Sequence, residues 1–374
     1  MDIDLEPRKR EVVSRLLARL IDQGTARVLV RPYGGGSGEW FGGGNVLADE
    51  AGVLWLGGRY RTPGDSRTGT DAGQRGLEFA IFRSDDHGQS FTKVLNWSKQ
   101  DLSRQGESIV SIEGAALHRL ANGTVELFIS TENLRRYPEP LASYQKPGTG
   151  VWTIGRMVGE SVERLDSATL GSVLECPDRP AYLHVKDPIV FDDQALGTVM
   201  LFCSHPFAWS SANTGLAVRA PGADQFEVRS WQVVERGVVW DVASTRITSR
   251  LCVPSLGLFA DEPPCSIYFY DGCECFREHE QHATAHSRPR GYSCEELGGA
   301  MVGWDKNFPQ MHRLSELQPM FVSPHGSGCS RYVDVLRTPR GLFATWQQSQ
   351  PDGSQPLVGH CLTMDEVESI LQGA

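Results

Sequence analysis

The 374 residues carry 36 Lys and Arg against 46 Asp and Glu, a formal net charge of −10, with 40% hydrophobic and 22% charged residues. That balance is ordinary for a globular chain and argues against nucleic acid or an anionic membrane as the main partner. No run nears the roughly 18 consecutive apolar residues of a membrane span, and nine cysteines at irregular spacing suit reduced thiols better than a disulfide framework. A cytoplasmic location is expected. The first predicted element lies in residues 1–25, where Glu11 to Ile21 sets apolar residues at helical spacing with charges inside the run. This is an amphipathic helix over about residues 8–23 and not a secretory core.

From Ala26 onward the chain becomes short β-rich runs broken by Gly, Pro, Asn and Asp. Ala26 to Arg31 is a strand available to complete a later sheet. Val46 to Ala48, a turn at Asp49 to Gly52, and Val53 to Tyr60 read as a hairpin; Leu77 to Arg83 and Phe91 to Trp97 form a second one around Ser84 to Phe91. The same cadence recurs. Ile112 to Leu120 with Thr124 to Thr131 opens a second unit, and Val185 to Phe191 with Thr198 to Ser204 a third. Val239 to Arg246 with Ser266 to Asp271 opens a fourth, and Arg331 to Leu336 with Leu342 to Gln347 a fifth. These openings lie on the order of 50 to 90 residues apart, longer than a usual propeller repeat. Insertions at 134–150, 205–213 and 272–299 explain the excess.

The octapeptide Ser84-Asp85-Asp86-His87-Gly88-Gln89-Ser90-Phe91 has the pattern Ser-x-Asp-x-Gly-x-Ser/Thr-aromatic. It resembles the Asp-box of β-propellers, a turn in which a short acid caps its own backbone and the aromatic ring tucks between blades. The expected fold is therefore an all-β propeller with a short amino-terminal helix. It would have five blades, or six if 291–328 hides one, in one domain over 26–374.

A propeller brings the starts of its innermost strands together at one axial mouth. The unit openings carry Glu113, Asp187, Asp241 and Asp334, and the first unit offers Asp65. Carboxylates gathered there repel one another and lose hydration, which separates their proton affinities as acid and base roles require. The competing reading is that they cap turns or pair with Lys186, Arg246 and Arg331.

The run Gly57-Gly58-Arg59-Tyr60-Arg61, then Gly64-Asp65, then Phe79 to Phe91, resembles the first blade of the sialidase superfamily. That resemblance implies Arg59 as a substrate arginine, Asp65 as acid/base, and a late-blade tyrosine nucleophile, for which Tyr332 beside Arg331 stands, polarised by Glu113 or Asp241. Arg59, Arg246 and Arg331 would then hold an anionic or polyhydroxyl group. The family's early Arg-Ile-Pro motif is missing before Gly42. A second resemblance competes: Lys186-Asp187-Pro188 and Ile112-Glu113-Gly114 are similar to elements of five-bladed arabinanase- and fructosidase-type hydrolases. There, two carboxylates flank the scissile bond and a third orients them; the trio here would be Glu113, Asp187 and Asp241.

Cys273, Cys275, His279, His282, His286 and Cys294 match no strong zinc spacing and are read as a lid over the mouth. Within that lid, Arg290 to Gly299, with Glu295, has the make-up of a substrate-contacting loop. The expected function is a sialidase-like glycoside hydrolase acting on a small carbohydrate, without cofactor or metal. The alternatives are the three-carboxylate glycosidase and a non-catalytic propeller that binds glycans or a protein.

Overall fold

Runs of seven to eleven residues, alternating in side-chain direction and separated by tight turns, can bury both faces only if sheets stack face to face. A computed structural model, describing residues 5–62, 76–104, 106–145, 148–175, 180–206, 211–274 and 296–373, shows that arrangement. Among the described residues there are five antiparallel sheets. The first holds β2 (Trp40–Gly42), β3 (Val46–Ala48), β4 (Leu54–Arg61), β5 (Glu78–Ser84) and β6 (Thr92–Ser98). The second is β7 (Ile109–Arg119), β8 (Val125–Asn133), β9 (Val151–Gly159) and β10 (Asp166–Leu174). The third is β11 (Leu183–Asp193), β12 (Gly197–His205), β13 (Asn213–Arg219) and β14 (Glu227–Ser230). The fourth is β15 (Ser244–Cys252), β16 (Cys265–Cys273), β17 (Leu297–Trp304) and β18 (His312–Arg313). In the fifth, β19 (Ser330–Thr338), β20 (Gly341–Gln348) and β21 (Leu357–Thr363) are joined by β1 (Arg27–Val30), which pairs Arg27 with Gly359 and Val28 with Val358.

The inner strands β3, β7, β11, β15 and β19 each touch the next around an axis, so the molecule is a five-bladed propeller. An apolar cluster fills each gap between blades. Phe79, Ile112 and Leu127 lie between the first and second; Phe41, Phe82 and Phe343 close the ring between the first and fifth. The helix Pro7–Leu20 turns Val12, Val13, Leu16, Leu17 and Leu20 onto the fourth and fifth blades beside the carboxy-terminal helix Met364–Leu371. Each such aliphatic side chain contributes roughly 1.5–3 kcal/mol when fully buried.

The Ser84–Phe91 turn joins β5 and β6. Asp86 accepts the Ser90 N–H at 2.9 Å and the Ser84 hydroxyl at 2.7 Å, Gly88 takes φ +81, and Phe91 stacks 6.2 Å from Phe343 of the fifth blade. Two expectations are corrected. The fourth blade opens at Ser244, not at Val239, because 231–243 runs as turns in which Val238 is 80% exposed. The 291–328 stretch supplies β17 and β18 of that blade and not a sixth one.

Candidate active site at the propeller axis

Four of the inner strands break register at the same level. The shifts fall between Ile112 and Ala115, Lys186 and Ile189, Ile247 and Ser249, and Arg331 and Asp334. A bulge re-aims the side chains around it, and here four of them swing charged groups toward the axis. Asp187 and Tyr332 take φ +51 and +52, a region that costs a non-glycine residue energy and collects at functional sites. In the first blade the inner strand is instead interrupted by Gly43 and Gly44. A Cβ on Gly43 would stand 2.0 Å from Arg59 Nη1, so glycine there makes room for a guanidinium.

Glu113 is 3% exposed. It accepts from Ser111 Oγ at 2.8 Å and faces Arg59 Nη2 at 3.4 Å and Arg61 Nη1 at 3.5 Å. Asp187 accepts the Gly114 N–H at 2.9 Å and faces Arg246 Nη1 at 3.2 Å. Arg246 gathers two more carboxylates on Nη2, Asp271 at 2.8 Å and Glu296 at 3.0 Å, and lies 4.3 Å from the centre of the Tyr332 ring. Asp271 also accepts the Tyr332 N–H at 3.0 Å, while Glu296 pairs with Arg331. The Tyr332 hydroxyl accepts from Arg59 Nη2 at 3.2 Å. Above this layer the Trp40 ring lies between Arg59, Arg61 and Arg331, at 4.7, 5.4 and 4.8 Å from its centre.

The environments push these acids apart. Burial raises Glu113, but Arg61, Arg59, Lys186 and the Ser111 hydrogen bond outweigh it and hold the carboxyl far below its usual range. Burial is likewise overcome at Asp187 by Lys186, Arg246 and Arg59, so it too is ionised. Asp271 goes the other way: burial and the neighbouring Glu296 charge push it up to about 7 against the pull of Arg246. Its partner Glu296, held by Arg246 and Arg331 against burial, stays low. Asp271 and Glu296 share one guanidinium nitrogen, so they titrate as a pair, with the proton on the deeper member. Burial raises Tyr332 more than Arg246 and Arg59 lower it, so the phenol keeps its proton.

This architecture is also that of solved glycoside hydrolases. The chain is similar to a protein described as a glycoside hydrolase, with a TM-score of 0.59 at 10% identity over 95% of each chain. It is similar to an α-L-arabinofuranosidase from Lactobacillus brevis, at 0.54 and 10% over 90% of this chain and 91% of that one. The endo-arabinase of Bacteroides thetaiotaomicron gives 0.51 and 10% over 90% and 98%. The shared property is the five-bladed fold. No protein-family model matches the sequence, and no curated protein is similar to it.

Of the site residues expected from sequence, Glu113, Asp187, Tyr332, Arg59, Arg246 and Arg331 meet at the axis. Asp334 lies one step further along β19, where it accepts the Val46 N–H at 2.7 Å; burial pushes its carboxyl up to about 7. Asp65 and Glu295 lie outside the described residues, as does the Cys/His segment beyond Glu274. Asp241 does not join the site. It precedes β15 and binds Tyr270 Oη at 3.1 Å and Arg313 Nε at 2.8 Å. Successive strand residues face opposite sides, so Asp241 meets β16 on the Tyr270 face while Asp271 projects from the other.

Sequence reasoning missed Asp271 and Glu296, along with Arg61 and Trp40. Asp271 left a signal, a lone acid ending the apolar run Ile267-Tyr268-Phe269-Tyr270, all of it buried. Glu296 falls within the 290–299 segment read as a substrate-contacting loop, in which its neighbour Glu295 is singled out instead.

Proposed function

We propose that this protein is a three-carboxylate glycoside hydrolase that cleaves a terminal glycosidic bond of a small carbohydrate at the axial mouth. The observation that carries the reading is the ring of Asp187, Asp271 and Glu296 around Arg246, one of them raised to about 7 and the others ionised. Titratable groups driven apart in this way can serve as acid and base. The Asp271–Glu296 pair holds the proton that goes to the leaving oxygen, with Glu296, 14% exposed, as the member nearer the mouth. Ionised Asp187 takes the proton of the attacking water, so the bond gains one water and no net proton is consumed. Glu113, held by Arg59 and Arg61, positions these groups. The likeness to an arabinofuranosidase and a β-xylosidase supports pentosides as the first substrates to try.

A second reading, sialidase-like cleavage through Tyr332, is favoured by the Arg59 hydrogen bond to its hydroxyl and by Arg246 against its ring. Hydrolysis of a panel of aryl arabinofuranosides, xylosides and sialosides separates the two. Asp187→Asn and Asp271→Asn are expected to lose roughly 10²–10⁴-fold in kcat, the size of an acid–base contribution, while Tyr332→Phe retains pentoside turnover. An inactive Tyr332→Phe beside an active Asp271→Asn supports the second reading. A wild-type protein that turns over no member refutes both.

A further inference from the structure

Beneath the carboxylates the axis stays open. A cavity of about 160 Å³ begins at Asp187, Arg246 and Tyr332 and runs along the inner strands to Phe191 and Arg250. The upper wall is buried, whereas Asn45, Phe191 and Arg250 at the lower end are partly exposed. Arg59 Nε and Nη1 and Arg246 Nε are buried without a hydrogen-bond acceptor among the described residues. Arg246 is itself on the wall, and Arg59 Nη1 lies just behind the wall residue Gly43. Buried donors of this kind are satisfied by water, and a polar cavity this size has room for several molecules at about 30 Å³ each. Asp334 sits on the same wall.

We propose that this cavity is a water channel reaching the carboxylates from the face opposite the mouth, and that Asp334 relays along it the proton taken from the attacking water. The inference rests on the hydrolase reading above. After bond cleavage Asp187 carries the water's proton and the Asp271–Glu296 pair has lost its own. Asp187 passes its proton through channel water to the Asp334 carboxylate, and Asp334 releases it toward the lower end. The Asp271–Glu296 pair takes one from solvent at the mouth, so each turnover balances. The charged and titratable groups that line the cavity with Asp334 are Asp187 on β11, Arg246 and Arg250 on β15 and Tyr332 on β19, with Arg59 of β4 behind Gly43. Burial, unrelieved by any ion pair to Asp334 among the described residues, suits the carboxyl to exchange a proton near neutrality. Asp187, held low, gives one up readily.

Asp334→Asn keeps an acceptor for the Val46 N–H but cannot carry a proton. The expected result is a kcat lowered about 10-fold or more at unchanged KM, with a larger solvent deuterium isotope effect. Infrared titration should show carboxylic C=O intensity with a midpoint near pH 7 that Asp334 shares with Asp271 in the wild type, so the wild-type-minus-variant difference should be one carboxyl titrating near pH 7. Ala116→Leu, which narrows the channel without touching a carboxyl, should lower kcat in the same way and decides the matter if Asp334→Asn does not fold. Unchanged kcat and isotope effect in either folded variant overturns the channel. Absence of any wild-type turnover strikes the hydrolase reading instead, and the infrared difference between wild type and Asp334→Asn still tests whether Asp334 titrates near pH 7.

Discussion

The Asp334 carboxyl should make the protein less stable as pH rises, opposite to a salt-bridged acid. Folded, it keeps its proton to about pH 7; unfolded, it releases it near the ordinary 3.8. Between those values the native state binds more protons than the unfolded chain, so its stabilising contribution is present below about pH 4 and is lost as pH climbs through 7. The separation of about three pH units corresponds to roughly 4 kcal/mol at about 1.4 kcal/mol per unit, an upper figure if the site relaxes around the charge. Asp334→Asn removes the titration while keeping shape and the hydrogen bond from Val46. Unfolding followed by circular dichroism from pH 4 to 8 should find the two proteins close at pH 4. At pH 8 the variant should be the more stable, with a melting temperature higher by on the order of 5 °C, from about 2.1 cal/mol/K of unfolding entropy per residue. A wild-type-to-variant difference that stays flat across this range would falsify the assignment of a raised carboxyl.

Gly43→Ala forces a methyl into Arg59 Nη1 at a residue with φ +73, so the guanidinium must leave Glu113 and Tyr332. We expect a loss of about 1–3 kcal/mol from the backbone alone and at least a 10-fold fall in kcat/KM, measured by urea unfolding and the pentoside assay. Arg219→Met deprives buried Glu126 of a paired donor, with both N–H contacts at 2.6 Å. It should cost about 3–5 kcal/mol at pH 7 by urea unfolding. Burial at Glu126 is outweighed by Arg219 and His118, which bring the carboxyl down to about 2; the wild-type advantage should therefore persist at neutral pH and fade as the solution is acidified toward 2.

The propeller was legible because its cause is local. Alternating apolar runs and turns such as Ala121-Asn122-Gly123 declare hairpins within a few residues, and a long succession of such hairpins leaves few ways to bury both faces. The phase of the fourth blade was not legible. Val238-Val239-Trp240 has strand propensity, yet only Trp240 is buried, against Tyr270, and that choice is made by tertiary packing. This error carried Asp241 into the expected trio. The true partner, Asp271, comes from a second strand; only the ring geometry brings the end of β16 to the inner-strand bulges. The charge pairs have the same origin. Arg59 and Tyr332 are 273 residues apart along the chain, and no local pattern ties an arginine of the first blade to a tyrosine of the last.

The pairing of Arg27–Val30 with Leu357–Thr363 bears on how the protein is made. During synthesis the first four blades can assemble only as an open arc, with Phe41 and Phe82 uncovered on one flank until Phe343 emerges from the ribosome. The clasp forms last and joins segments separated by most of the polypeptide, so closing it is the slow, entropically costly event. Until then the free edge of β21 awaits the waiting β1, and a neighbouring nascent chain could supply the same strand in its stead. Dilution during refolding should therefore raise the yield of correctly closed monomer.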